Sequence, residues 1–198
     1  MAEMIVDKPK LLWQLQFEGA WPMAVAFADS GRRLVAGNQD GRLLMWDLPE
    51  QPPAFEPPKG KADRLAPSAP PSRMLTGHTN GVTRLVSTPD GRWIVSASLD
   101  RTVRLWDMSA VPTGDAEVVV DIETRQEEAK RSRKDDALKQ PGIAVKTQES
   151  AQVFTGHQDW IEALGINDDG QRVISGDNSS NVYVWDLASR KEVNHWKG

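Results

Sequence analysis

The sequence has no cysteine, one tyrosine and three histidines among its 198 residues. Without cysteine there is no disulfide framework, no thiolate zinc site and no cysteine nucleophile. The same absence suits a reducing compartment, so a cytoplasmic protein is the expectation. The histidines, His78, His157 and His195, do not fall at metal-ligand spacings, so no metal or other cofactor is expected. Long hydrophobic runs are missing too. No stretch approaches the roughly 18 apolar residues of a membrane span, and the opening "MAEMIVDKPKLLWQLQ" lacks the uninterrupted apolar core of a secretory signal. Neither sign of charge predominates. The 24 Lys and Arg face 28 Asp and Glu, and the net charge of −4 argues against a nucleic-acid surface. There is no phosphate-cradling Gly-rich loop, since "SGDNSS" (175–180) reads as a turn between strands.

What the chain does contain is itself, three times. Segments 17–47, 77–107 and 156–186 align without a gap, and all three end in Trp-Asp. Two of them begin with Gly-His, and Gly31, Gly91 and Gly170 share one offset. Each copy reads as three short strands. The first carries apolar residues at matched places (Val25 and Phe27, Leu85, Leu164 and Ile166), and the second is "RRLVAG", "RWIVSAS" or "QRVISG". The third is "LLMWD", "VRLWD" or "VYVWD", and all are rich in the β-branched and aromatic residues that suit a pleated, half-buried surface. Polar turns separate them, the first of each copy containing Gly. A fourth short run, "SRMLT" or "AQVFT", precedes each Gly-His, and "EVNHWKG" follows the last Trp-Asp.

Gly-His and Trp-Asp at fixed spacing in units of four short antiparallel strands resemble the WD-repeat β-propeller family. The resemblance implies an all-β fold: a partial WD-repeat β-propeller of three four-stranded antiparallel blades plus an N-terminal outer strand. The blade repeats are then 17–76, 77–155 (with an insertion at 109–150) and 156–198. Leu11, Trp13, Leu15 and Phe17 supply the alternating outer strand. Propellers close with 4–8 blades, at about 40–45 residues per WD unit. Three blades therefore predict an N-terminal fragment of a longer propeller whose remaining blades lie outside this chain. The rival is self-association to close a ring.

The resemblance also bears on the hydrolase-like residues His78, Ser96 and Asp100. In the family the Gly-His histidine, a second-strand Ser, the Asp of the next turn and the third-strand Trp form one hydrogen-bond chain. Blade two matches throughout, with His78, Ser96, Asp100 and Trp106. Blade three offers His157, Ser175 and Trp185, but Ser179 stands at the Asp place, and Asp177, two residues early, is not expected to reach. Blade one keeps Asp40 and Trp46, with Glu18 and Ala36 at the His and Ser places. No nucleophile-elbow sequence surrounds Ser96, so the structural reading is preferred to a catalytic triad.

Two insertions follow third strands. Residues 48–72 are proline-dense and read as an extended or disordered loop, a spacer or a Pro-rich recognition ligand. Within 109–150, residues 121–139 carry six acidic and six basic side chains with i,i+4 pairing and read as an exposed charged helix.

Candidate protein-binding residues are Trp21 and Trp160, at equivalent places three residues after the Gly-His histidine position, with Gly81 between them in sequence. Each is either an interface anchor or a lid on its own blade. Gln39, Leu99 and Asn178 precede the Asp place, where the family commonly looks onto one surface. The function expected is a non-catalytic scaffold for protein or peptide partners, without nucleic acid or membrane. The alternatives are a sensory or targeting module of a larger enzyme, such as a kinase or protease, and a propeller enzyme with its site in the channel.

Overall fold

The computed structural model of the chain describes residues 15, 17, 20–50, 70–118 and 143–198. The charged segment 121–139 and most of the proline-dense loop (51–69) lie outside these residues. Of the expected outer strand, only Leu15 and Phe17 are described. They are not in a strand, and both pack against the core around Trp46.

Blade one is built from β1 (Pro22–Ala28), β2 (Arg33–Asn38), β3 (Leu43–Asp47) and β4 (Arg73–Thr76), each antiparallel to the next. Two further strands, β8 (Gly114–Val118) and β9 (Ile143–Glu149), extend it outward in the order β1-β2-β3-β4-β9-β8. Blade two comprises β5 (Val82–Ser87), β6 (Trp93–Ser98), β7 (Val103–Asp107) and β10 (Gln152–Phe154), and blade three comprises β11 (Ile161–Ile166), β12 (Arg172–Asp177), β13 (Asn181–Asp186) and β14 (Lys191–Lys197). The chain is thus all-β, with three antiparallel four-stranded units. The extra pair β8–β9 lies at the two ends of the 109–150 insertion, and β9 joins β4 in parallel, Arg73 opposite Lys146. Around this junction Gln148 donates to the Asp107 carbonyl (2.7 Å), and Arg73 donates to the Gln148 side chain and to the Ala110 carbonyl (3.1 Å). The insertion therefore straps blade one to blade two.

Because successive side chains of a strand point to opposite faces, each blade contributes to two cores. Ile94 and Trp106 face blade one and meet Val35, Leu43, Met45 and Leu75. The alternate residues Val95, Ala97, Val103 and Leu105 face blade three and meet Ile161, Val173, Tyr183 and Trp185. The innermost strands also bond directly between blades, Thr83 Oγ donating to the Ile161 carbonyl (2.6 Å) and Ser87 Oγ to the Phe27 carbonyl (2.8 Å). Gly91 shows why the first turn needs glycine: its φ is +68°, and a Cβ there would lie 2.5 Å from the Asp29 backbone.

Equivalent positions differ at the two outer faces of the set. Leu85 is buried against blade one, whereas the matched Val25 is 65% exposed, and Phe27 on the same strand is 60% exposed. Val95 is fully buried by blade three, whereas its counterpart Ile174 is 47% exposed. Orientation is uniform. Leu48, Met108 and Leu187, which leave the third strands, donate their amides to Arg32, Arg92 and Gln171 beside the first turns. Both insertions therefore depart from one side of the blades, and the Gly-His loops open on the other.

Candidate protein-binding site

The Gly-His side is shaped by a polar chain within each blade. In blade two the Trp106 indole donates to Ser96 Oγ (2.9 Å), Ser96 meets His78 Nε2 (2.7 Å), and His78 Nδ1 meets Asp100 Oδ2 (2.7 Å). An indole N–H can only donate. The Asp100 carboxylate can only accept, so the imidazole proton sits on Nδ1, and the serine hydroxyl, acceptor to the indole, donates its own hydrogen bond to Nε2. Burial holds His78 below its ordinary pKa, against the pull of Asp100, so it is neutral at pH 7. Burial alone would raise the Asp100 carboxyl. Hydrogen bonds from His78, Thr102 and the Thr79 amide outweigh this and hold it well below the usual carboxylate range. Ser96 itself is fully buried.

Blade three completes the same chain by another route. Trp185 donates to Ser175 (2.8 Å), Ser175 meets His157 Nε2 (2.7 Å), and His157 Nδ1 meets Asp177 Oδ2 (2.9 Å). The expectation that Asp177 is too early to reach is corrected. Its position matches Ser98 and Asn38, the last residues of β6 and β2, whose side chains accept the amides of the following turn. A carboxylate there has an oxygen for each task. Oδ1 accepts from Ser179 N and from both the amide and the side chain of Asn181, while Oδ2 meets the histidine and also accepts from the Asn181 side chain (3.1 Å). Ser179, at the expected Asp place, bonds Asp159 instead (3.0 Å).

Blade one departs from the expectation for Asp40 and Trp46. Asp40 is exposed, and its amide merely closes the turn on Asn38. Trp46 is 1% exposed and its indole N–H has no hydrogen-bond partner, because Ala36 occupies the serine place. Packing replaces the polar chain: the Phe17 ring lies 5.9 Å away, and Leu15, Val118 and Val145 close the same core. Ala36→Ser supplies the missing acceptor. It is expected to stabilise the chain by about 1 kcal/mol, raising the thermal midpoint by about 2–4 °C. A calorimetric scan checks this, and an unchanged midpoint would show that the indole needs no partner there.

The candidate binding residues are brought together in pairs by a repeated backbone bond. Gln39 N donates to the Trp21 carbonyl (3.1 Å), Leu99 N to that of Gly81 (2.9 Å) and Asn178 N to that of Trp160 (3.0 Å). Each blade thus sets the residue entering its first strand beside the residue leaving its second. Trp21 is 80% exposed and Trp160 52%, so the rings stand out into solvent; a lid over its own blade would be largely buried. Gln39 and Asn178 are exposed and Leu99 is half-buried. A Cβ on Gly81 would lie 3.1 Å from Met23 Sδ and 3.3 Å from Leu99 Cδ1. A side chain at this third equivalent position would therefore press on Met23 and Leu99. Met23, absent from the sequence-based candidates, joins Leu99 in filling that place. The signal that could have found it is the glycine interrupting a tryptophan position.

Among the described residues no helix is long and apolar enough to cross a membrane, and no cluster of metal-ligating side chains occurs.

Comparison with known proteins bears on the same segments. A family model described as "WD domain, G-beta repeat" matches residues 11–47, 69–107 and 148–186, more than half of the chain. The chain is 30% identical over 108 residues to the small ribosomal subunit protein RACK1 of Caenorhabditis elegans, a match covering 54% of this chain and 30% of the relative. It is 38% identical over 79 residues to a Notchless protein homolog of Arabidopsis thaliana (40% and 13%) and 27% identical over 177 residues to the LEC14B protein of Lithospermum erythrorhizon (86% and 34%). The chain thus spans about a third or less of the length of these relatives.

Proposed function

The chain belongs to the WD-repeat family, and on that premise we propose that it is a non-catalytic scaffold that captures protein or peptide partners on the rim bearing the Gly-His loops. The observation that carries this reading is the exposure of Trp21 and Trp160 on backbone-tied, equivalent corners, with Met23 and Leu99 between them. Tryptophan is enriched at interaction hot spots, and a rigid sheet that holds it in place lowers the entropy cost of binding.

The polar chains belong to the bracing of this surface rather than to chemistry. A nucleophilic serine needs access to substrate and an oxyanion hole. Ser96 is sealed from solvent, and its hydroxyl is already shared between an indole donor and an imidazole acceptor. Protein rather than nucleic acid is favoured as partner because the rim exposes Trp21, Met23 and Trp160 and the chain is acidic overall. Ribosomal and small nucleolar RNA-associated proteins do occur among the relatives. The cytoplasmic setting belongs to the same proposal, and those names extend it to the nucleolus. Exposed Ile174 and Trp196 on blade three, where blade two is covered, support the presence of further blades, from a longer chain or from other copies.

Quantitative affinity capture from cell extract tests the scaffold reading. Replacing Trp21 and Trp160 together with Ala is expected to reduce recovery of rim-dependent partners by about tenfold or more while shifting stability by less than about 0.5 kcal/mol, as surface changes do. An unchanged set of captured proteins, or a large loss of stability, would overturn it.

A further inference from the structure

The opposite side of the blades carries a second feature. Between blades two and three a cavity of about 480 Å³ opens where the first turn of blade two (Thr88–Trp93) meets two turns of blade three. The half-buried Trp93 ring lines it, with the Arg92 guanidinium 5.1 Å and the Arg190 guanidinium 5.9 Å from the ring centroid.

Two residue choices there are not what the fold asks for. The residues matching Trp93 in the other blades are Arg33 and Arg172, and Arg33 pairs with Asp47 of its own blade at 3.1 Å. Blade two gives up that pairing for a tryptophan directed toward blade three, and Arg92 approaches Asp107 only to 3.7 Å. Arg190 holds φ at +58°, a left-handed conformation that glycine adopts without the steric cost borne by a side chain.

The charges are also unequally engaged. Asp90 accepts from the Thr88 hydroxyl and the Arg92 amide, and Asp169 accepts from the Gln171 amide, so both carboxylates close their own turns. Arg190 makes one long bond, 3.4 Å, to the Ala151 carbonyl. Arg92 reaches a carboxylate only in its long, 3.7 Å ion pair with Asp107, and Arg190 has no carboxylate partner among the described residues.

We infer that this cavity is a second docking site, for an acidic peptide segment of a partner protein, with carboxylates on Arg92 and Arg190 and one aromatic or aliphatic side chain on Trp93. The exposed guanidinium donors select this occupant, since Asp90 and Asp169, which also line the cavity, are turned to backbone amides of their own turns. Two guanidinium forks standing over an indole leave an edge for carboxylates and a face for an apolar group. The site lies on the side away from Trp21 and Trp160, so it is independent of capture on the other rim.

The test uses the full chain and a fluorescein-labelled peptide Asp-Glu-Phe-Glu-Glu, followed by fluorescence anisotropy, with the amide counterpart Asn-Gln-Phe-Gln-Gln as control. Saturable binding of the acidic peptide is expected, weakening as salt rises, with little binding of the control. Trp93→Arg, which restores the residue type of the other blades, and Arg190→Gly, which relieves the left-handed arginine, are each expected to weaken binding by about fivefold or more with the thermal midpoint unchanged or raised. The double Trp21 and Trp160 alanine variant keeps full peptide binding, which separates this site from the rim. No saturable binding by the unaltered chain, equal binding of the two peptides, or undiminished binding by both variants would overturn the inference.

Discussion

Trp106→Ala is expected to destabilise the chain by about 3–5 kcal/mol, the usual cost of deleting a fully buried aromatic. Trp106 has no exposed surface and packs across the junction of blades one and two among Val35, Met45, Ile94 and Met108. Its removal opens a cavity at the place where two sheets hold each other, and it strands the Ser96 hydroxyl on one side. Urea denaturation followed by far-ultraviolet circular dichroism measures the loss. Trp106→Phe separates the two contributions. Phenylalanine keeps most of the packing but loses the indole N–H and part of the ring, so a smaller cost of about 1–2 kcal/mol is expected. If both variants lose the same amount, the polar link dominates and packing is not what holds blades one and two together.

The second large effect is expected at Asp177. Asp177→Ala leaves the His157 ring, the Ser179 amide and both nitrogens of Asn181 without their acceptor, all against a buried carboxylate site. Unpaired buried donors are costly, and the expected loss is about 3 kcal/mol. Ser179→Ala, at the place the repeat alignment assigns to the carboxylate, should change stability by less than about 0.5 kcal/mol, because that side chain bonds an exposed neighbour. The same denaturation experiment ranks the pair. A reversed order would return the histidine partner to the aligned position. Asp177 is also held below its ordinary pKa: burial opposes this, but the bonds from His157 and Asn181 prevail. Such a carboxylate stabilises the fold above its unfolded-state pKa, and that contribution is lost as pH falls through the folded value.

Asp177 also shows where alignment stops being informative. Counting residues between Trp-Asp and Gly-His places the histidine, serine and tryptophan of blade three correctly, because a strand advances in fixed steps. A turn does not. The carboxylate two residues earlier lies at the end of β12 and reaches His157 as Asp100, from the turn proper, reaches the equivalent His78 in blade two. In blade one the alignment assigns Asp40 and Trp46 to a chain whose middle members are absent, and without Ala36 as a serine the two do not meet.

The extra strands of blade one were hidden for a different reason. Ile143, Val145 and Thr147 alternate with Ala144, Lys146 and Gln148, as a half-exposed strand would. But their partners, Arg73 to Thr76, lie about 70 residues away and run parallel. Nothing local announces such a pairing, because its register is set by the Arg73, Gln148 and Asp107 junction rather than by a turn. Met23 was missed likewise, since its importance comes from a glycine on the neighbouring blade.

From the residues alone followed the repeat, the strand alternation and the insertions after third strands, and the family resemblance added the polar chain of blade two. All of these depend on spacing along a single chain segment, where backbone geometry converts sequence distance directly into position. The tertiary structure decided which carboxylate serves His157, which rings remain exposed, how the insertion ties blades one and two, and that Trp93 and Arg190 share a cavity. Those outcomes depend on contacts between segments whose separation in sequence carries no distance information, so only packing could select them.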